Sequence, residues 1–173
     1  MDLKKEIREI QDYPKEGISF KDITTLIKNP KALNFVIDSV VEEFRDKGIT
    51  KVVGLEARGF IFGGAIASQL NAGFVPIRKK NKLPGKVMTE TYKLEYGEDR
   101  IEMHIDGLLK NDVVLIHDDL LATGGTAEAA LKIVKKCGVE QVYFSFVCDL
   151  EFIDTPSKRK LKNHIVQTLV KYS

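Results

Sequence analysis

The sequence predicts an α/β domain in which a mainly parallel central sheet lies between two layers of helices. Short aliphatic runs such as Lys51–Leu55 and Val113–Ile116 have the composition of buried parallel strands. Segments with apolar residues at helical spacing separate these runs, and this alternation indicates a three-layer arrangement. The 173 residues show no internal repeat and no linker, so we expect a single domain over residues 1–173.

The composition is that of an ordinary globular protein without a strong overall charge. Lysine and arginine number 27 against 25 acidic residues, and this balance does not favour nucleic acid or membranes as partners. Cys137 and Cys148 do not form a disulfide framework, and they fit a reducing compartment. No apolar run approaches membrane length, and the N-terminal residues lack a signal-peptide core. We therefore expect a cytoplasmic protein.

The N-terminal residues predict a small arm. Apolar residues at helical spacing in Leu3–Gln11 predict a short amphipathic helix, which ends before Pro14. Gly17–Ile23 reads as a loop that leads into a second short helix. The residues alone favour an arm that packs Ile18 and Phe20 on the core.

The clearest helix begins at Asn29, which is a favoured capping residue, and Pro30 occupies its first turn. An apolar stripe continues to Phe44, and Gly48 follows the end of the helix. The next segments are a strand, a helix and a strand: Lys51–Leu55, Ile61–Leu70 and Phe74–Lys80.

Cations follow both of these strands. Arg58 and Gly59 lie just after the first strand and before a helix, a position that suits an anion site. Arg58 could instead pair with a nearby acid such as Glu56. The second strand ends in Arg78–Lys80, and this cluster taken alone favours a solvated face.

A long excursion separates these strands from the centre of the sheet. Val87–Glu102 reads as two extended segments around Glu95–Glu98. Such an excursion between core strands is often a lid over an active site. A plain surface hairpin fits the composition equally well.

The stretch with the most chemistry is Val113–Thr126. Asp118 and Asp119 follow the aliphatic run Val113–Ile116, and the small-residue loop Ala122–Thr126 leads into a helix. Backbone N–H groups, threonine hydroxyls and a helix N-terminus converge there, as in a phosphate cradle. The acidic pair would grip a hydroxylated neutral group such as a ribose diol, or a metal. The alternative is a surface turn with two solvated aspartates.

The C-terminal third continues the alternation of helix and strand. A helix ends at Gly138, Gln141–Leu150 is a buried strand, Thr155 and Pro156 begin a short helix, and Ile165–Val170 is the last strand. His117 alternates with its neighbours along its strand. It is predicted to be a packed or partly exposed histidine rather than a catalytic one.

Four motifs together resemble a known family. Leu120–Thr126 resembles the phosphoribosyl-diphosphate (PRPP) signature of the type I phosphoribosyltransferases, in the form found in adenine phosphoribosyltransferases. In the family's order, Glu56–Phe60 is similar to its pyrophosphate loop, Arg78–Gly85 to its pattern Arg-Lys-x-x-Lys-Leu-Pro-Gly, and Tyr92–Gly97 to its mobile catalytic loop. The resemblance extends from about Tyr13 to Leu161.

The resemblance implies the type I phosphoribosyltransferase fold, with a base-binding hood over residues 1–28 and a mobile loop region over residues 80–104. The chain departs from the family pattern in three places. Glu16 stands before Gly17 where the family usually has proline, and His117 stands where the family normally has an aliphatic residue. Ser157–Leu161 only weakly matches the family's Gly-Arg-x-Lys-Leu, a region that is normally remote from the chemistry.

The resemblance also implies roles for particular residues. Adenine would lie near Phe20 and be read by backbone groups around Ser19 and Lys21. The implied catalytic residues are Arg58, Glu95, Asp118 and Asp119. The implied PRPP-binding residues are Ala57, Arg58, Lys79, Asp118, Asp119, Ala122, Thr123, Gly124, Gly125 and Thr126.

The activity implied by the resemblance is purine salvage. The 5-phosphoribosyl group of PRPP would pass to adenine, giving AMP and diphosphate, with Mg²⁺ carried by PRPP rather than held in a protein cage. The family resemblance also implies a homodimer. Two alternatives stay open: a PRPP-dependent transferase for another base, and a non-enzymatic PRPP-sensing module.

Overall fold

A computed structural model describes residues 1–93 and 97–173. The strands are β1 (Arg8–Ile10), β2 (Phe20–Asp22), β3 (Lys51–Leu55), β4 (Gly73–Lys79), β5 (Val87–Lys93), β6 (Glu98–His104), β7 (Val113–Leu121), β8 (Gln141–Leu150) and β9 (Val166–Tyr172). The α-helices are α1 (Thr24–Ile27), α2 (Pro30–Phe44), α3 (Gly59–Gln69), α4 (Gly125–Lys136) and α5 (Pro156–Leu161). Short 3₁₀ helices cover Leu3–Glu6 and Arg45–Lys47.

The described strands form one large sheet and one small sheet. The large sheet has the order β5-β6-β4-β3-β7-β8-β9, and β4, β3, β7, β8 and β9 are mutually parallel. β5 and β6 form an antiparallel hairpin that joins the edge of β4. The predicted mainly parallel sheet is therefore confirmed. The carboxyl ends of β3, β4 and β7 meet along one edge, where ligands bind in such folds.

Apolar side chains cover both faces of this sheet. Val52 and Leu115 belong to a core cluster with residues of α2 and α3, whereas the neighbouring Val53 and Ile116 belong to a second cluster with α4. Adjacent strand residues point to opposite faces, so each aliphatic run supplies both cores. The predicted three-layer arrangement is confirmed.

The N-terminal prediction was partly wrong. Only Leu3–Glu6 of the predicted helix Leu3–Gln11 is helical, because Arg8–Ile10 pairs with Phe20–Asp22 as a two-stranded sheet. A helix this short is marginal by itself, so the pairing decides the conformation. The predicted loop Gly17–Ile23 accordingly contains β2.

The predicted helix boundaries at Asn29, Gly48 and Gly138 are confirmed, whereas α3 covers Gly59–Gln69 rather than the predicted Ile61–Leu70. The Asn29 side chain accepts a hydrogen bond from the backbone N–H of Lys31 at 3.1 Å. Gly48 and Gly138 follow helices with φ of 67° and 79°, a left-handed conformation that glycine adopts easily. Among residues 1–93 and 97–173, the structure contains no helix with the length and apolarity needed to span a bilayer.

Candidate active site

The acidic pair lies within β7 rather than after it. The aliphatic run predicted a strand that ends near Ile116. The strand instead continues to Leu121, and Asp118 and Asp119 lie near its carboxyl end. Asp119 is buried, and the Oδ1 atom of Asp118 accepts a hydrogen bond from the Asp119 N–H at 2.9 Å. The continued pairing with β8, which includes Asp118 and Leu120, fixes the backbone that carries both carboxylates.

Both carboxyl groups are poised to respond to a positive charge. Burial and the adjacent Asp119 carboxylate raise the pKa of Asp118 well above its usual range. Burial also raises the pKa of Asp119, although the Arg58 guanidinium opposes this shift. A cation that arrives beside the pair would favour the ionised carboxylates and be stabilised by them.

Arg58 connects the acidic pair to the N-terminal arm. Its Nε atom lies 2.9 Å from Oδ2 of Asp119, and its guanidinium lies 5.5 Å from the ring centroid of Phe20. The alternative pairing with Glu56 was wrong, since Glu56 pairs with Arg78, whose Nη2 atom lies 3.2 Å from Oε1. Arg58 therefore forms its ion pair with Asp119 on β7 and not with the acidic residue next to it in the sequence.

Glu56 fixes the loop that carries Arg58. Its Oε2 atom accepts a hydrogen bond from the backbone N–H of Lys79 at 2.9 Å, so the loop is tied to the end of β4. Burial raises the pKa of Glu56, but the bonds from Lys79 and Arg78 outweigh burial and hold it below its usual value. The Glu56–Ala57 peptide bond is cis.

The small-residue loop surrounds a cavity. The cavity measures about 70 Å³ and is lined by Asp118, Phe146 and the segment 120–127. Gly124 has a φ of 79° and precedes α4, and the Gly125 N–H points at the Thr123 hydroxyl at 3.4 Å. The structure thus brings the predicted phosphate-loop residues Ala122–Thr126 together with Asp118 around a single small space.

The N-terminal arm places the ring of Phe20 near Arg58, whereas the side chains of Ser19 and Lys21 contact Glu9. Phe20 packs edge-on against Tyr13, with ring centroids 5.2 Å apart. The Ser19 hydroxyl donates to Glu9 at 3.1 Å, and the Lys21 ammonium lies 2.8 Å from the same carboxylate. Phe20 is partly buried, and its contacts with Tyr13 and Arg58 place its ring beside the acidic pair.

Lys79 contacts the β5–β6 hairpin. Its ammonium donates to the Tyr92 hydroxyl at 2.8 Å and to the Asp99 carboxylate. Burial lowers the pKa of Lys79, but these two bonds raise it more. A Cβ atom on Gly125 would lie 3.3 Å from the Tyr92 ring, so the hairpin also reaches the phosphate loop. Lys79 is a paired cation rather than part of a solvated face.

Comparison with known proteins decides the family. Residues 22–172 match the phosphoribosyl transferase domain. The chain is 55% identical over 170 residues to the adenine phosphoribosyltransferase of Koribacter versatilis, covering 98% of this chain and 92% of that protein. The chain belongs to the adenine phosphoribosyltransferases.

Solved structures of this family have the same fold. The adenine phosphoribosyltransferase of Thermoanaerobacter pseudethanolicus is 42% identical with a TM-score of 0.93, covering 99% of this chain and 98% of that one. The enzyme of Saccharomyces cerevisiae, solved in complex with an imino-altritol bisphosphate and adenine, is 38% identical with a TM-score of 0.89, covering 97% and 96%. The predicted fold of the type I phosphoribosyltransferases is confirmed.

One predicted catalytic residue cannot be placed. Glu95, in the motif shared with adenine phosphoribosyltransferases, lies outside the described residues. Its role, and the mobility of residues 80–104, stay predictions. Sequence reasoning missed Asp99, which contacts Lys79, and Thr155, whose hydroxyl donates to the Thr123 carbonyl at 2.5 Å. No local motif marked either residue, because each contact joins segments that are distant in sequence.

His117, which was predicted to be packed or partly exposed, is fully buried. Its ring packs edge-on against Phe62, with centroids 5.9 Å apart. Neither ring nitrogen has a hydrogen-bond partner among residues 1–93 and 97–173. Burial lowers the pKa of His117 from 6.5 to about 4, because the imidazolium ion would lose its hydration.

We expect the free energy of unfolding of His117→Leu to fall less in acid than that of the wild type. The unfolded chain binds a proton on His117 below pH 6.5, and the folded chain does so only below about pH 4, so wild-type stability falls as the pH drops through this window. At 1.36 kcal/mol per pKa unit, the wild type should lose roughly 2–3 kcal/mol more than the variant between pH 7.5 and 4.5. Urea unfolding at both pH values measures this difference, and equal pH dependence in the two proteins would contradict it.

Proposed function

We propose that this chain transfers the 5-phosphoribosyl group of PRPP to adenine, giving AMP and diphosphate in purine salvage. The observation that carries the proposal is the single small cavity shared by Asp118 and the loop Ala122–Thr126. Arg58 then extends the site from the acidic pair to the aromatic ring of Phe20. The order of groups matches the order of parts in the substrates: phosphate, ribose, and purine.

The acidic pair would bind the ribose. Hydroxyl groups can donate hydrogen bonds to Asp118 and Asp119, which are held by the pairing of β7 with β8. Departure of diphosphate leaves positive charge on the ring, and carboxylates with raised pKa values gain most from such a charge. The loop Ala122–Thr126 would hold the 5-phosphate and supply binding energy remote from the reacting carbon.

The leaving diphosphate would be bound by Arg58, by the backbone of Ala57 and by Lys79. Preorganised positive groups that face developing negative charge usually supply the largest catalytic contribution. Mg²⁺ bound to PRPP would neutralise further charge on the diphosphate. The oxygen donors of Asp118 and Asp119 suit a hydrated ion of this kind, which prefers phosphate oxygens and water to a full protein cage.

Adenine would lie against Phe20, with backbone groups around Ser19 and Lys21 reading its edge. The side chains of Ser19 and Lys21 are already engaged with Glu9, and this supports recognition by the backbone. Glu95, which belongs to the motif Tyr92–Gly97, would accept a proton from the purine or orient it. A closed hairpin would exclude water, which competes for PRPP.

The proposal is tested by offering the purified chain PRPP and Mg²⁺ with adenine, hypoxanthine, xanthine or orotate. We expect AMP from adenine and no nucleotide from the other bases. IMP or XMP would keep the PRPP site and overturn our account of Phe20. Tight PRPP binding without any nucleotide product would favour a non-enzymatic sensing module.

We also propose that the chain is a cytoplasmic homodimer. The support is the resemblance of Arg78–Gly85 to a family pattern that acts partly across a dimer interface. Sedimentation equilibrium at micromolar concentration should give twice the mass of one chain.

A further inference from the structure

Helix α5 lies directly behind the phosphate loop. The Thr155 hydroxyl, at its N-terminus, donates a hydrogen bond to the Thr123 carbonyl at 2.5 Å. The same hydroxyl accepts the Lys158 N–H at 3.1 Å, so it caps the helix and contacts the loop at once. A Cβ atom on Gly124 would lie 3.0 Å from the Lys158 backbone nitrogen. The resemblance placed this region away from the chemistry, but here it touches the loop.

A buried cation anchors α5 to the end of β8. Lys158 is 8% exposed, and its ammonium lies 2.6 Å from Oδ1 of Asp149 and 2.7 Å from the Leu150 carbonyl oxygen. A buried ammonium is costly unless it is paired in this way. The anchor therefore fixes where the N-terminus of α5 can lie.

A second connection joins α5 to the first turn of α4. The Ser157 hydroxyl donates to Oε2 of Glu128 at 2.5 Å, and the Lys160 ammonium donates to Oε1 at 2.6 Å. Because α4 begins at Gly125, α5 contacts both the phosphate loop, at Thr123, and the helix that follows the loop, at Glu128. These contacts of α5 restrict the position of the phosphate loop.

We propose that Thr155 is a positioning residue for the phosphate loop. The C=O and N–H of one trans peptide unit point in opposite directions. With the Thr123 carbonyl held on Thr155, the Gly124 N–H is turned away from α5, towards the cavity that Gly124 lines. Thr155 thereby aims one backbone donor at the 5-phosphate. The inference rests on the proposed function, which places that phosphate in the loop.

The test compares Thr155→Val with Thr50→Val. Thr50 is a matched control because its hydroxyl also donates one hydrogen bond, to Asp112 at 2.7 Å, and accepts one, from the Val113 N–H at 3.0 Å. Thr50 lies at the amino ends of β3 and β7, opposite the site. A net hydrogen bond corresponds to a change of roughly 3- to 10-fold, so we expect Thr155→Val to raise KM for PRPP by that factor.

Other readouts separate positioning from a merely structural role. We expect kcat and KM for adenine to stay within about twofold of wild type, and Thr155→Ser to restore KM for PRPP because it keeps the hydroxyl. Calorimetry with ribose 5-phosphate should show the same loss of affinity without any turnover. If Thr155→Val does not fold, Thr155→Ala removes the hydroxyl with less bulk and gives the same comparison.

Two results would overturn the inference. One is an unchanged KM for PRPP with a lowered melting temperature, which would make Thr155 a helix cap alone. The other is an equal rise in KM in Thr50→Val, which would indicate general destabilisation. If the wild-type chain makes no AMP, the proposed function fails, and calorimetry with ribose 5-phosphate still decides whether Thr155 positions the loop.

Discussion

Replacing Arg58 with alanine should lower kcat/KM for AMP formation by on the order of 10²- to 10³-fold, the usual effect of removing one preorganised group that faces developing charge. The substitution removes the cation that we propose faces the leaving diphosphate. It also leaves the buried Asp119 carboxylate without the ion pair that opposes the rise in its pKa. Steady-state kinetics with varied PRPP measures the effect.

The matched control for Arg58→Ala is Arg45→Ala. Arg45 also pairs with a carboxylate, since its Nη2 atom lies 2.9 Å from Oε2 of Glu42, but both side chains are exposed on the surface near the end of α2. Such a pair contributes little, so kcat/KM should not change. Arg58→Lys should recover only part of the activity, because a compact ammonium cannot reproduce the planar contacts of guanidinium. Wild-type kinetics in Arg58→Ala would remove Arg58 from the proposed mechanism.

The second large effect is expected for Gly59→Ala, at the start of α3. An added Cβ atom would lie 2.7 Å from the His117 carbonyl oxygen and 3.2 Å from Oδ1 of Asp118. Backbone must shift to relieve the first contact, so the variant should lose about 1–3 kcal/mol of stability. A displacement of about 1 Å at a catalytic group can cost 10²-fold, so we expect kcat to fall by on the order of 10²-fold.

Gly64→Ala, in the same helix, is the control for Gly59→Ala. A Cβ atom on Gly64 meets nothing within 4 Å, and alanine is favoured over glycine inside a helix by about 0.5–1 kcal/mol. Activity should therefore be unchanged and thermal stability equal or higher. If both variants keep wild-type kcat, the close approach of α3 to β7 does not position the acidic pair.

Much of this fold could be predicted because its signals are local. The strand Lys51–Leu55 has the predicted bounds, since a strand buried on both faces must be aliphatic throughout. The small-residue loop Ala122–Thr126 and the helix that follows it could also be predicted, because their signals lie in one short stretch. The role of this loop in phosphate binding stays a prediction.

The failures of prediction have a different physical origin. The helix over Leu3–Gln11 was wrong because Arg8–Ile10 finds a pairing partner in β2, which spacing within the segment cannot reveal. The pairing of Arg58 with Glu56, which the residues left open as an alternative, does not occur because the packing of β3 beside β7 places Asp119 against Arg58. Three-dimensional neighbours, rather than propensities, determined both outcomes.

The contact between Lys79 and Asp99 has a consequence for turnover. If Lys79 binds the diphosphate as proposed, a phosphate oxygen would compete with the Asp99 carboxylate for the Lys79 ammonium. Such competition would weaken the binding of PRPP and of product diphosphate alike. Since product departure often limits the rate of enzymes with closing loops, Asp99 would shorten the residence time of diphosphate and reset the site for the next cycle.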